Sequence, residues 1–260
     1  MKLYRIWAVT YRLLIQYHKD FNKLASVFYW PGFDIIVFGF MITGIQCTTS
    51  DPLATKGLLI NIALWPLVNR GSLTLSLSLF EEIRSQNIAG LFSTPISFSE
   101  WIAGSILEGL ISSIAVVLMC GFIVSSMFNV SILDAGWLLI PIITFGFFTG
   151  VAISCITTAA LFIWGSSVQT IIWMAGWAFA LISGIFYPIE TLPPILQKVA
   201  FCFPLQYLFS NIRTYINTGT WSIETLMIGS FLTIFYMVIL GIGLIASYRY
   251  SKQLGLHRLI

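Results

Sequence analysis

Long apolar runs alternate along this chain with short polar breaks. Apolar residues dominate 27–45, 58–79, 101–127, 135–163, 169–185 and 223–246. Each is close to the length, about 20 residues, that crosses roughly 30 Å of hydrocarbon as a helix. The runs are continuously apolar, whereas barrel strands alternate over about ten residues around a polar lumen. The pattern therefore predicts an all-α integral membrane protein with six transmembrane helices.

Three segments depart from that pattern. At the start, Leu3, Trp7, Thr10, Leu14, Tyr17, Phe21 and Leu24 recur at alternating four- and three-residue spacing, while Arg5, Arg12, Gln16, Lys19 and Lys23 follow the same rhythm on another face. That predicts an amphipathic helix over 1–24 lying in the membrane interface, basic side toward headgroups; a solvated helix packed on a partner protein is the alternative. No uninterrupted apolar core or small-residue cleavage site marks it as a removed signal. The second departure, 81–99, sits between two membrane-length runs, carries charge of both signs and is broken at Thr94-Pro95. Ile83, Asn87 and Leu91 share one helical face, and Arg84, Ile88 and Phe92 the next. An apolar stripe beside Glu82 and Arg84 suits a helix seated in a partner's groove; a helix lying on headgroups is the alternative. The third, 186–222, is broken by prolines into pieces too short to span and too apolar for an ordinary loop. It predicts two short helices parted near Phe203-Pro204, dipping back into the outer leaflet where protein or water satisfies the backbone.

Composition supports this frame. Hydrophobic residues make up 58% and charged residues 9% of the chain, with mean hydropathy +0.91; a soluble domain lacks the polar surface at such values. Polar material is too sparse for a second domain, so 1–260 reads as one unit. Lys2, Arg5, Arg12, Lys19, Lys23, Arg84, Arg249, Lys252 and Arg258 fall on one side of a six-span chain, and Lys56, Lys198 and Arg213 on the other. Cytoplasmic loops carry the basic excess, which predicts both termini and 81–99 in the cytoplasm. The net charge of +3 expresses that bias and implies no nucleic acid. Cys47, Cys120, Cys155 and Cys202 lack metal or redox spacing; buried thiols are expected, with a Cys47–Cys202 disulfide left open.

Asp34, Arg70 and Glu108 are ionisable residues inside apolar runs. Such groups normally face a bundle interior or a wet cavity. At 1.5 Å per residue, Asp34 and Glu108 lie roughly 10 Å in from one end, and Arg70 about 15 Å in. Its long stem lets it reach either acid, so Arg70 is expected to pair with Asp34 or Glu108, as static glue or as a gate. His18 and His257 are terminal, no H-E-x-x-H or G-x-S-x-G occurs, and no P-loop is found. The chain is therefore expected to perform no chemistry and to hold no cofactor or metal. If ATP drives it, another polypeptide binds the ATP and Mg. A gradient-driven carrier acting without an ATPase is the alternative.

Taken in order, the basic amphipathic start, Phe28-Tyr29-Trp30-Pro31, Arg70, the acidic-then-helical Glu81-to-Pro95 segment, the stretch from Gly184 through Tyr187-Pro188-Ile189-Glu190-Thr191-Leu192-Pro193, and Pro204-Leu205 are similar to the type 2 permease family of ATP-binding-cassette (ABC) exporters. The resemblance covers nearly the whole chain. It implies a multi-pass permease of the bacterial inner membrane that dimerises with a second copy, contacts membrane lipids and binds two nucleotide-binding ATPase subunits. It implies a coupling helix over 83–92, with Glu82, Ile83, Arg84, Asn87, Ile88, Leu91, Phe92 and Pro95 docking the ATPase, and a weaker contact around Trp164-Gly165-Ser166-Ser167. It further implies a path lined by the first, second and fifth helices, with Tyr29, Trp30, Trp173 and Trp177 as candidates. Tyr187, Pro188, Glu190, Pro193 and Pro204 would form an external gate. The cargo implied is amphipathic or lipid-linked, a glycan or lipooligosaccharide, or a lipid or drug.

Overall fold

The computed structural model describes residues 2–49 and 52–255. Ten α-helices succeed one another among them: α1 (Leu3–Lys19), α2 (Phe21–Thr49), α3 (Pro52–Arg84), α4 (Ile88–Ser93), α5 (Phe98–Phe128), α6 (Leu139–Trp164), α7 (Gln169–Ile182), α8 (Pro194–Ala200), α9 (Pro204–Thr218) and α10 (Ile223–Leu254). Short 3-10 turns occupy Ile132–Leu138, Gly165–Val168 and Ile189–Thr191, and no strand occurs among the described residues.

Five stretches are long and apolar enough to cross a membrane: Phe21–Gly44, Thr55–Arg84, Phe98–Phe128, Ile132–Ile182 and Ile223–Leu254. The fourth is 51 residues long, enough for about 75 Å of helix, more than twice a hydrocarbon core. It is not one rod. Gly165 takes φ 67, ψ −151 and stops α6 after 26 residues. The 14 residues of α7 follow, only about 21 Å of helix. The apolar pattern reaches residue 185, but the helix ends sooner because the chain reverses at Gly184, whose φ of +68 few other residues tolerate.

Two helix starts also precede the apolar runs. α5 begins at Phe98 because Ser97 and Glu100 form a capping box, satisfying two amides left over at a helix N-terminus. Asp20 alone separates α1 from α2 in extended geometry, so α2 begins at Phe21. Pro31 and Pro66 sit inside α2 and α3. Each removes one helical N–H and leaves the carbonyl four residues earlier unpaired.

α3 is the central staff: 83% of its apolar window is buried, against 17% for α10. It packs on α6 and α5, and also on α9 and α7. Contact with α6 is backbone to backbone. A Cβ on Gly150 would lie 2.3 Å from the Val68 carbonyl oxygen, and one on Gly71 2.7 Å from that of Phe147. Small residues allow such approach in membrane bundles; here the Gly146–Gly150 pair serves packing within the chain. Ser154 Oγ accepts from the amides of Leu75 (2.9 Å) and Ser76 (3.1 Å), and Thr149 and Thr233 hydroxyls meet at 2.9 Å to tie α6 to α10.

The bundle has two dissimilar ends. At one lie α1, α4 and the start of α5. At the other, α9 turns Leu205, Leu208, Phe209 and Ile212 into the core, with Asn61 donating to the Phe209 carbonyl at 3.3 Å. The expected two short helices are present there, as α8 and α9, parted at Phe203-Pro204. Lys56–Asp134 (2.7 Å) and Trp137 edge-on to Trp221 (4.4 Å) secure that end. Cys120 and Cys155 are buried free thiols and Cys202 is an exposed one. The Cys47 side chain, which bears on the open disulfide, and His257 and Arg258 lie outside the described residues.

Candidate functional site

Arg70 pairs with Glu108, not with Asp34. Its Nη2 lies 3.5 Å from Glu108 Oε1, both side chains buried, and its Nε donates to Ser112 Oγ at 3.2 Å. Tyr17 of α1 completes the group: its hydroxyl accepts from Arg70 Nη2 and donates to Glu108 Oε1. The Arg70 guanidinium also sits over the Tyr17 ring, 5.7 Å from its centroid. Burial raises the Tyr17 phenol well above its ordinary value, against the pull of Arg70, so the hydroxyl keeps the proton that it donates. Tyr17 falls on the face of α1 that its spacing assigns to lipid. The signal for its role is its depth along the helix relative to Arg70, which a linear pattern does not carry.

The basic residues of α1 and of the start of α2 find acids of their own chain. Arg12 pairs with Glu82, Lys23 with Glu81 (2.7 Å) and Arg5 with Glu100 (3.6 Å). Glu100 also accepts from the Lys2 amide at 2.8 Å, and Arg5 donates to the Pro95 carbonyl. Val9, Thr10 and Leu13 are the buried face of α1, with Thr10 donating to the Gly104 carbonyl of α5 at 2.9 Å. Leu3, Trp7 and Tyr11 are exposed.

The segment expected to dock an ATPase differs from its predicted form. α3 runs unbroken to Arg84, the chain turns at Gln86 (φ 55), and α4 covers only Ile88–Ser93. Ile83 and Arg84 thus end a membrane helix instead of opening a coupling helix over 83–92. Glu82, Ile83, Ile88 and Leu91 are buried; the apolar stripe meets the chain's own core, which removes it from water without a partner. Glu82 holds Arg12 and accepts from Asn87 Nδ2 at 2.9 Å. What faces outward is Arg84, Ser85, Gln86, Asn87, Gly90, Ser93, Thr94 and Pro95; the Phe92 side chain lies outside the described residues. Arg84 and Gln86 line a recess of about 540 Å3 with Phe80, Ile83, Ser166 and Gln169, so the two loops at this end lie side by side.

Between α2, α3, α5 and α7 opens a cleft of about 330 Å3. Its walls bring together Trp30, Asp34, Arg70, Trp173 and Trp177 with Asn69, and both in-helix prolines, Pro31 and Pro66, border it. Three of the four path candidates therefore meet. Tyr29 does not; it is exposed and stacks on Phe33 at 6.2 Å. Sequence reading missed Asn69 and Pro66, whose relevance depends on α3 standing at the centre.

Phe186 lies at the margin of this region. It contacts Phe38 (4.9 Å), Trp65 (6.3 Å) and Trp177 (6.3 Å), joining the 184–191 turn to the cleft wall. Of the gate candidates, Pro204 is buried and Tyr187 half-buried, its hydroxyl donating to the Leu181 carbonyl. Pro188, Glu190 and Pro193 are exposed. Buried Ile185 and Ile189, with Phe186, carry the packing there.

A family model described as ABC-2 type transporter matches residues 4–217. The chain belongs to that family. It is the membrane component of an ABC-type transporter, and the match takes in α1 and nearly all of α9, stopping before α10. A comparison with curated proteins gives no match. In this ABC-2 permease, Arg70, Tyr17 and the α1 ion pairs join the loop end of the bundle to the cleft.

Proposed function

We propose that this chain is the permease subunit of an ATP-driven exporter, working as a homodimer with two separate nucleotide-binding ATPase subunits in the bacterial inner membrane. Its cargo is an amphipathic or lipid-linked molecule moved outward. The observation that carries the reading is mechanical continuity. The end of α3 is tied to α1 by the Arg12–Glu82 pair and to the start of α2 by Lys23–Glu81, and α1 places Tyr17 in the Arg70–Glu108 pair beside the cleft. A push on the Arg84–Asn87 turn would travel through α3 and α1 together, because the Arg12–Glu82 tie joins them at one end and the buried Arg70–Glu108 pair with Tyr17 resists separation deeper in.

In this account six spans cross the bilayer, α6 and α7 being distinct crossings hinged at Gly165, with both termini cytoplasmic. The skew of Lys and Arg toward one side supports that orientation. Docking uses the polar turn of Arg84, Gln86 and Asn87 and the neighbouring Ser166–Gln169 loop, in place of the buried apolar stripe. The 186–222 region is a re-entrant outer element, with Phe186 as the plug between it and the cleft. Pro31 and Pro66 loosen α2 and α3 where they border the cleft, so both helices can flex without breaking further hydrogen bonds.

The test is gentle extraction of the tagged chain from native membranes, followed by mass spectrometry of what co-purifies. A nucleotide-binding ATPase at one copy per permease is expected. Recovery without one, under conditions that hold known ABC complexes together, would favour a gradient-driven carrier.

A further inference from the structure

The cleft between α2, α3, α5 and α7 is unbalanced in charge. Two ionisable residues line it, Asp34 and Arg70. Arg70 is committed: Glu108 answers its charge, and Tyr17 and Ser112 take its N–H groups. Asp34 has no ion pair or hydrogen bond among the described residues, although it is half-buried inside an apolar helix. An unanswered carboxylate at such depth is costly unless something positive meets it. Around it stand Trp30, one helical turn away on the same face of α2, and Trp173 and Trp177, one turn apart on α7. All three indoles are substantially exposed. Indole faces attract cations more strongly than other aromatic rings do, and most of all when water is excluded. Leu73 and Val116 add apolar lining to the cleft. The volume, about 330 Å3, falls at the lower end of small-molecule sites.

We propose that this cleft binds the head of an amphipathic organic cation, a protonated or quaternary amine, with its positive charge held by Asp34 between Trp30, Trp173 and Trp177. The proposal rests on the exporter reading only for the direction of movement; it names that exporter's cargo class. Arg70 does not repel the ligand strongly, because the Arg70–Glu108 pair is neutral, and Asp34 when ionised opposite a bound cation gives the cleft one negative charge in excess. A glycan head would stack on the same rings but leave Asp34 without a counter-charge.

Three probes with one tail and different heads separate the alternatives: decyltrimethylammonium (cation), decyl sulfate (anion) and decyl maltoside (sugar). Binding of radiolabelled decyltrimethylammonium to the full chain in lipid nanodiscs is measured with empty nanodiscs subtracted, and the other two serve as competitors. Saturable binding at one per chain is expected, with Asp34→Asn weakening it about tenfold or more, equivalent to about 1.4 kcal/mol. Asp34→Glu, which keeps the charge, should retain most of the affinity, and Trp177→Leu should lower it. Equal binding by folded Asp34→Asn, or stronger competition by the maltoside or the sulfate, overturns the proposal. If Asp34→Asn does not fold, the ranking of heads on the unmodified chain decides alone. An ATPase that co-purifies with a chain lacking the cation preference leaves the exporter standing and removes the site. The preference without any ATPase does the reverse.

Discussion

At the scale of single residues, Tyr17 changes the meaning of the charges inside the bundle. Arg70 and Glu108 alone would be a buried pair of modest net value, since desolvation offsets most of the attraction. With Tyr17 between them, the pair also anchors α1. Glu108→Gln leaves the guanidinium buried without its counter-charge and is expected to cost about 3–5 kcal/mol. Tyr17→Phe removes two hydrogen bonds to charged partners, and losing a bond of that kind costs about 1.5–3 kcal/mol. Thermal unfolding in lipid nanodiscs should place both Glu108→Gln and Tyr17→Phe well below the unmodified chain. Near-identical midpoints for all three would remove the cluster from the stabilising account. The sequence singles out Arg70 and both acids by their cost in hydrocarbon, but choosing Glu108 over Asp34 needs the rotation of α5 about its axis. A linear pattern lacks that rotation.

At the scale of elements, α3 and α6 make the least forgiving contact. Backbone meets backbone at Gly71 and Gly150, so a side chain there has nothing flexible to displace. Gly150→Val is expected to lose about 1–3 kcal/mol or more through overpacking, read as a lower unfolding midpoint, whereas the same change at Gly241, where a Cβ meets nothing within 4 Å, should be nearly silent. Equal effects at the two positions would contradict the packing described. Helix existence was legible throughout, because long apolar runs admit little else. The polar turn after α3 was legible as a break, but its register was not. Ile83, Ile88 and Leu91 have the spacing of an amphipathic helix, and that spacing is equally satisfied by a buried helix end followed by a turn and six helical residues. α7 fell short for a similar reason: apolar content continues past Ile182, yet Gly184 turns the backbone. The two helices α8 and α9 were readable because prolines fix where helices begin, as Pro194 and Pro204 do.

At the scale of the whole molecule, the two ends are built differently. One gathers α1, the start of α2, the end of α3 and the start of α5 into a set of ion pairs around Glu81, Glu82 and Glu100. The other closes over the bundle with α8, α9 and the Phe186 turn. The central claim is that the first end receives the motor. It is tested by placing a photo-crosslinking amino acid at Gln86, or at Ile195 of α8, and irradiating native membranes; both positions are exposed. The account predicts that Gln86 captures a nucleotide-binding ATPase subunit and that Ile195 captures none. Capture of that subunit from Ile195, with Gln86 silent, would contradict it.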